Sequence, residues 1–214
     1  MFEERTSGDK YYTIEGPKRA EIKVKGSKFI ATSAPAKTKD EALEFLDTIR
    51  SEFHDATHNC FAYRIGHEGL EFRAADDGEP NGSAGKPILF TISKYDFSDI
   101  IVIVTRYFGG TKLGVGGLAR AYSESAEEAL KLCKPKEVHL VTAVKVFCTY
   151  EDISPVKKLI EEMSVTFSEF YGDSVEFEAK LPNSRVEEFT KRITGTTAGR
   201  AGTRILEPEI FRGK

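Results

Sequence analysis

The sequence predicts an α+β protein of two domains, and three observations lead there. Ile100 to Thr105 (IIVIVT) is continuously apolar, the pattern of a strand covered on both faces. The stretches Ala42 to Phe53 and Leu118 to Cys133 repeat apolar or small residues at helical spacing. Beyond Lys134-Pro135-Lys136-Glu137 the order becomes strand, helix, strand, strand, helix, strand, the βαββαβ sequence of a ferredoxin-like domain. That break of charge and proline divides the chain into residues 1–135 and 138–214.

The elements follow in order. Ala20 to Ala34 alternates with period two, and Gly26 marks a turn or bulge within it, so a strand pair or one kinked strand is expected. Thr38 and Glu41 form a capping box ahead of Ala42, Phe45, Leu46, Ile49 and Phe53. Cys60 to Ile65 and Leu70 to Ala74 read as strands joined across Gly66 to Gly69. A turn-rich loop (DDGEPNGSAG) leads to a helix opened by Lys86 and Pro87, with Ile88, Leu89, Ile92 and Tyr95 as its stripe. The helix from Leu118 carries Ala121, Tyr122, Ser125, Ala126, Ala129 and Leu130, small residues that imply close packing on a sheet. In the second domain Leu140 to Thr149 is a strand, Ser154 caps a helix with Pro155 in its first turn, and the last strand spans about Thr203 to Pro208.

Composition narrows the function classes. A net charge of -3 excludes a surface that is basic throughout, so any polyanion site must be local. Cys60, Cys133 and Cys148 lie far apart with no zinc spacing, which suits a reducing compartment. The polar N-terminus lacks the apolar segment of a signal peptide, and no run has the length of a membrane span, so a cytoplasmic protein without membrane contact is expected.

The strongest local signal is Thr105 to Arg120 (TRYFGGTKLGVGGLAR). A buried strand enters a glycine-dense loop and then a helix start, where free backbone N–H groups and the helix dipole favour an anion. The candidate anion or RNA contacts are Arg106, Tyr107, Gly109, Gly110, Lys112, Gly114, Gly116, Gly117 and Arg120, with Lys86 at another helix start. The alternative is that the glycines only let the loop cross the sheet and the helix pack tightly. Gly114 to Ala119 matches GxGxxA, yet it starts well after the strand ends and no ribose-binding acid follows; no Walker string exists. No cofactor is expected.

Asp76, Asp77 and Glu79 are candidate Mg²⁺ ligands beside a bound phosphate, against the reading of a plain Asp-Gly turn with solvated charges. A catalytic residue is not identified by pattern; Asp76, Asp77 and His58 are the candidates. His58 and Cys60 share one face of an extended segment, with too few neighbouring ligands to close a zinc site. His67 and His139 read as isolated surface or turn residues, and Arg185, Lys191, Arg192, Arg200 and Arg204 as a solvated face or a weak RNA-facing patch.

His58 to Tyr63 (HNCFAY), Asp76 to Pro80 (DDGEP) with Ala84 to Pro87 (AGKP), and Val104 to Gly110 (VTRYFGG) continued by Gly116 to Tyr122 (GGLARAY) closely resemble the bacterial YigZ/IMPACT family. The resemblance covers nearly the whole chain, more weakly in the second domain. It implies a first domain with the fold of the second domain of ribosomal protein S5, and a ferredoxin-like second domain similar to the last domain of elongation factor G. It also implies kinship with eukaryotic regulators of translation. The resulting expectation is a translation-associated regulatory or binding protein that contacts RNA, the ribosome or a translation factor through the glycine-rich basic loop, without DNA specificity. The alternatives are an enzyme acting on a small phosphorylated substrate and a purely protein-binding adaptor.

Overall fold

After β1 (Lys10–Ile14), the first domain folds its next five strands into one antiparallel sheet. At its centre β6 (Ile100–Tyr107) lies between β3 (Ser27–Pro35) and β4 (His58–Ile65), with β2 (Lys18–Val24) outside β3 and β5 (Glu71–Ala75) outside β4. This computed structural model describes residues 8–211. The described residues divide into two compact units, one built on Tyr11–Glu137 and the other on residues 138–211 with residues 8–10.

In the first unit, β2 and β3 form a hairpin, not a single kinked strand. Lys25 and Gly26 both have positive φ, 46° and 84°, as the tight two-residue turn between twisted strands demands. Helix α1 (Lys39–Glu52) is capped by Thr38, whose Oγ1 accepts from Glu41 N–H at 3.1 Å, while Glu41 Oε2 accepts from Lys37 N–H at 2.7 Å. The carboxylate thus reaches one residue further back than a reciprocal box, and satisfies that donor instead.

Ile101 and Ile103 of β6 join the cluster beneath α1, while Val102 and Val104 join the opposite cluster beneath α2 (Gly85–Lys94) and α3 (Gly114–Lys131). Both faces are covered, which is why the β6 sequence does not alternate.

The second unit has the strands β7 (Pro135–Cys148), β8 (Thr166–Tyr171), β9 (Val175–Pro182) and β10 (Gly202–Phe211), which pair antiparallel in the order β10-β7-β9-β8. Helices α4 (Ile153–Met163) and α5 (Val186–Thr196) supply Val156, Ile160, Met163, Phe189 and Ile193 to a core with Val144, Val146, Val175 and Phe177. This is the ferredoxin-like arrangement that the element order implied.

Several local expectations are corrected. β1 is hidden in what reads as a polar lead. The break at Lys134-Pro135-Lys136-Glu137 is part of a strand, since β7 begins at Pro135 and runs through it; proline suits the first residue of a strand. The cap position of α4 is Asp152, not Ser154, because the turn Tyr150–Asp152 already starts the helical path. Helix α3 starts at Gly114, four residues before Leu118, so Gly114, Gly116 and Gly117 belong to its first turn. β10 also extends past Pro208, across a register shift between Ile205 and Pro208.

Candidate functional site

The three sequence motifs meet around Arg106, one residue from the end of β6. Its side chain is only 6% exposed, and its Nη1 donates to Glu79 Oε1 at 2.5 Å. The same oxygen accepts from the Tyr122 hydroxyl at 2.8 Å. Tyr122 belongs to α3 and packs edge-on against Phe29 of β3, and the Arg106 guanidinium lies over the rings of Phe29 (5.4 Å) and Phe108 (5.5 Å). Glu79 thus ties the acidic loop to β6 and α3 inside one buried network.

Cys60 and His58 close it from β4. The Cys60 thiol has one hydrogen and two acceptors in reach, Asp76 C=O at 2.9 Å and the Tyr122 oxygen at 3.3 Å. Burial pushes that thiol up to about 12, so Cys60 is a neutral packing group at ordinary pH. The Tyr122 hydroxyl is raised as well, first by burial and then by Cys60 and Glu79. His58 Nδ1 donates to Asp77 C=O at 2.7 Å, with Nε2 3.9 Å from Glu79 Oε1.

The carboxylates of the loop are equally committed. Asp76 accepts from the N–H groups of Gly82 (2.8 Å), Ala84 (3.0 Å) and Gly85 (2.8 Å), fastening the loop to the start of α2. Asp77 accepts from Arg50 at 2.9 Å and from Asn59 N–H at 2.7 Å. Among the described residues no group of three or more His, Cys, Asp or Glu is placed to hold a metal ion.

Burial opposes ionisation of Asp76, yet the three N–H donors and the nearby Lys86 outweigh it and hold its carboxyl below the usual range. A folded pKa below the unfolded value means that the stabilisation exists above the unfolded pKa, about 3.9, and is lost as pH falls through the folded one. Asp76→Asn is therefore expected to destabilise at pH 7, with the difference from the parent shrinking below about pH 4. Urea unfolding across pH checks this; a pH-independent difference would contradict it.

The glycines separate into kinds. A Cβ on Gly109 would stand 1.9 Å from the Gly26 carbonyl carbon, and one on Gly85 would stand 2.5 Å from Ala75 N. Both are glycines because backbone crosses backbone. Gly110 and Gly114 have φ of 85° and 70°. Gly117 would bring a Cβ 3.2 Å from Leu113 Cβ. Gly116 fits none of these cases: it is helical, exposed and open for 4 Å around.

The basic and aromatic candidates are likewise sorted. Lys112 and Arg120 are exposed, the latter four residues after Gly116 on the same face of α3. Lys86 is exposed beside Gly82. Tyr107 is anchored, its hydroxyl donating to Asp55 at 2.7 Å and its ring covered by Lys28 Nζ at 4.7 Å. Sequence reasoning missed Ser27, whose Oγ accepts from Arg106 Nη2 at 3.3 Å and Gly109 N–H at 3.1 Å. It also missed Thr57, which receives Phe108 N–H at 3.1 Å. A serine after a turn glycine carries no signal of such a role. In the second unit Arg192 grips Glu162 (2.7 and 2.9 Å), Arg200 grips Asp152 (3.0 and 2.6 Å) and Lys191 pairs with Glu187 (2.6 Å). The Arg192 and Lys191 pairs lie at the surface, while Arg200 reaches the buried carboxylate of Asp152. His67 meets Tyr11 edge-on at 5.9 Å, so it is not isolated.

Fold and site together define a class: a two-unit α+β protein whose acidic loop, central strand and Tyr122 of α3 are bound into one polar network. A model of the Impact N-terminal domain matches residues 25–130, and one described as a domain of unknown function matches residues 146–200. The chain belongs to the IMPACT family. It is 35% identical over 201 residues to the IMPACT family member YvyE of Bacillus subtilis, covering 94% of this chain and 92% of that one. It is 30% identical over 179 residues to YigZ of Escherichia coli, covering 82% and 88%. A crystal structure of a hypothetical protein superposes with a TM-score of 0.64 at 27% identity, over 93% of this chain and 98% of the other. Among the described residues no helix is long and apolar enough to cross a membrane.

Proposed function

We propose that this chain is a translation-associated binding protein that holds RNA phosphate at the start of α3, between Lys112 and Arg120. The observation that carries the reading is Gly116. Alanine would suit an exposed helical position better by up to about 1 kcal/mol, and no neighbouring atom requires glycine there. A bare backbone at that point lets a ligand approach the N–H groups of the first turn. Leu113 provides no side-chain cap for them, and no acidic residue stands in that turn. The family kinship supports a role in translation, and the internal commitments of Asp76, Asp77, Glu79 and His58 favour binding over catalysis.

The test is fluorescence anisotropy with a labelled single-stranded RNA over a salt series. Lys112→Ala combined with Arg120→Ala is expected to weaken binding and to flatten the salt dependence by roughly 0.7 logarithmic units for each phosphate no longer neutralised. Gly116→Ala should weaken binding while raising stability by about 0.4–1 kcal/mol. Unchanged affinity and salt slope in the double variant would overturn the reading. Exposed Phe108 (49%) and Val115 (58%) on the same segment favour a protein partner as the second reading, which capture of a partner resistant to nuclease would support.

A further inference from the structure

The sheet of the first unit ends at β5, which pairs with β4 on one side. Edge strands are commonly blunted by proline, lysine or a bulge, since an open edge invites another strand. Two other edges follow that rule, β2 with Lys18 and Lys23 and β10 with Pro208 and a register shift, while the β8 edge, like β5, has neither proline nor lysine. Glu71–Ala75 has no proline or lysine, and its register with β4 is unbroken. Leu70 is 76% exposed and Phe72 58%, and Glu71 and Arg73 are exposed as well.

We infer that β5 is a self-pairing edge, adding antiparallel to the β5 of a second copy of this chain about a two-fold axis through Phe72. A two-fold interface must be complementary to itself, and Leu70-Glu71-Phe72-Arg73-Ala74 is so. On one face of the joined strands Glu71 stands opposite Arg73 of the other copy, twice over. On the other face Phe72 meets Phe72, and Leu70 meets the small Ala74. Moving the axis to Glu71 or Arg73 would oppose like charges, so the register is specified by charge. The start of α2 packs at the Ala75 end of the strand, where Gly85 lies against the backbone, while Leu70 to Arg73 are exposed. An interface of one short strand is small, and the equilibrium is a weak one that depends on concentration.

Sedimentation velocity of the full chain, from about 10 µM to about 1 mM, tests the inference. The parent is expected to move from monomer toward dimer across that range. Glu71→Arg and Arg73→Glu should each weaken the dimer by about ten-fold or more, since each places like charges opposite one another. The two together should restore it, because the swapped charges again pair. Circular dichroism confirms that these surface variants stay folded. A parent that is monomeric at the highest concentration, a dimer indifferent to both single changes, or a double variant as weak as the singles would each overturn the inference.

Discussion

Arg106→Ala is expected to destabilise the first unit by about 3–5 kcal/mol, the cost of leaving one partner of a buried ion pair alone. The Glu79 side chain is 4% exposed, and without the guanidinium it retains the Tyr122 hydroxyl and a His58 nitrogen at 3.9 Å. Arg106→Lys should recover little of that stability. An ammonium cannot bond Glu79 and Ser27 from one plane while stacking between Phe29 and Phe108. Removing both charges, as in Arg106→Met with Glu79→Gln, is expected to cost less than the two single changes added together. Urea midpoints followed by circular dichroism measure these variants against the parent. An unchanged midpoint for Arg106→Ala would show the pair to be unimportant and return Arg106 to the set of candidate ligand-binding residues. The expected result has a practical consequence: failed binding in an Arg106 variant would report a damaged structure, which is why Lys112 and Arg120 carry the binding test.

Gly109→Ala is expected to cost at least the upper end of the about 1–3 kcal/mol typical of overpacking. Its Cβ would meet Gly26 C, Gly26 O and Ser27 N at 1.9, 2.1 and 2.2 Å, and all three atoms are backbone. No rotamer relieves that clash, so the β2–β3 turn and the loop after β6 must separate, breaking the bond from Gly109 N–H to Ser27 Oγ. Gly110→Ala meets no atom within 4 Å and bears only the strain of its φ of 85°, about 1–2 kcal/mol. The expected order of melting temperatures is Gly116→Ala above the parent, then Gly110→Ala, then Gly109→Ala. Equal melting temperatures for the Gly109 and Gly110 variants would refute the close crossing.

A run such as GGTKLGVGG therefore holds glycines with different duties. Composition and motif spacing treat them alike, and they treat Arg106, Lys112 and Arg120 alike as positive charges near a helix start. The sequence could not divide them, because the division depends on groups far along the chain: Gly26 for Gly109, Glu79 for Arg106. The candidate site was legible as a segment, and the family resemblance grouped its three motifs, while the role of each residue within it was not legible.

The sequence by itself determined the features whose causes are local. The apolar run of β6, the Thr38 cap of α1, the stripe of α3 and the βαββαβ order of the second unit are all written in periods and caps a few residues long. Only the tertiary structure decided that Asp76 staples a loop, that Cys60 is a buried neutral thiol, that Arg106 is bound to Glu79 and that Gly116 is free of any internal demand. Those outcomes depend on burial and on partners brought together by the sheet, and a charge in sequence has the same symbol whether it faces water or a carboxylate.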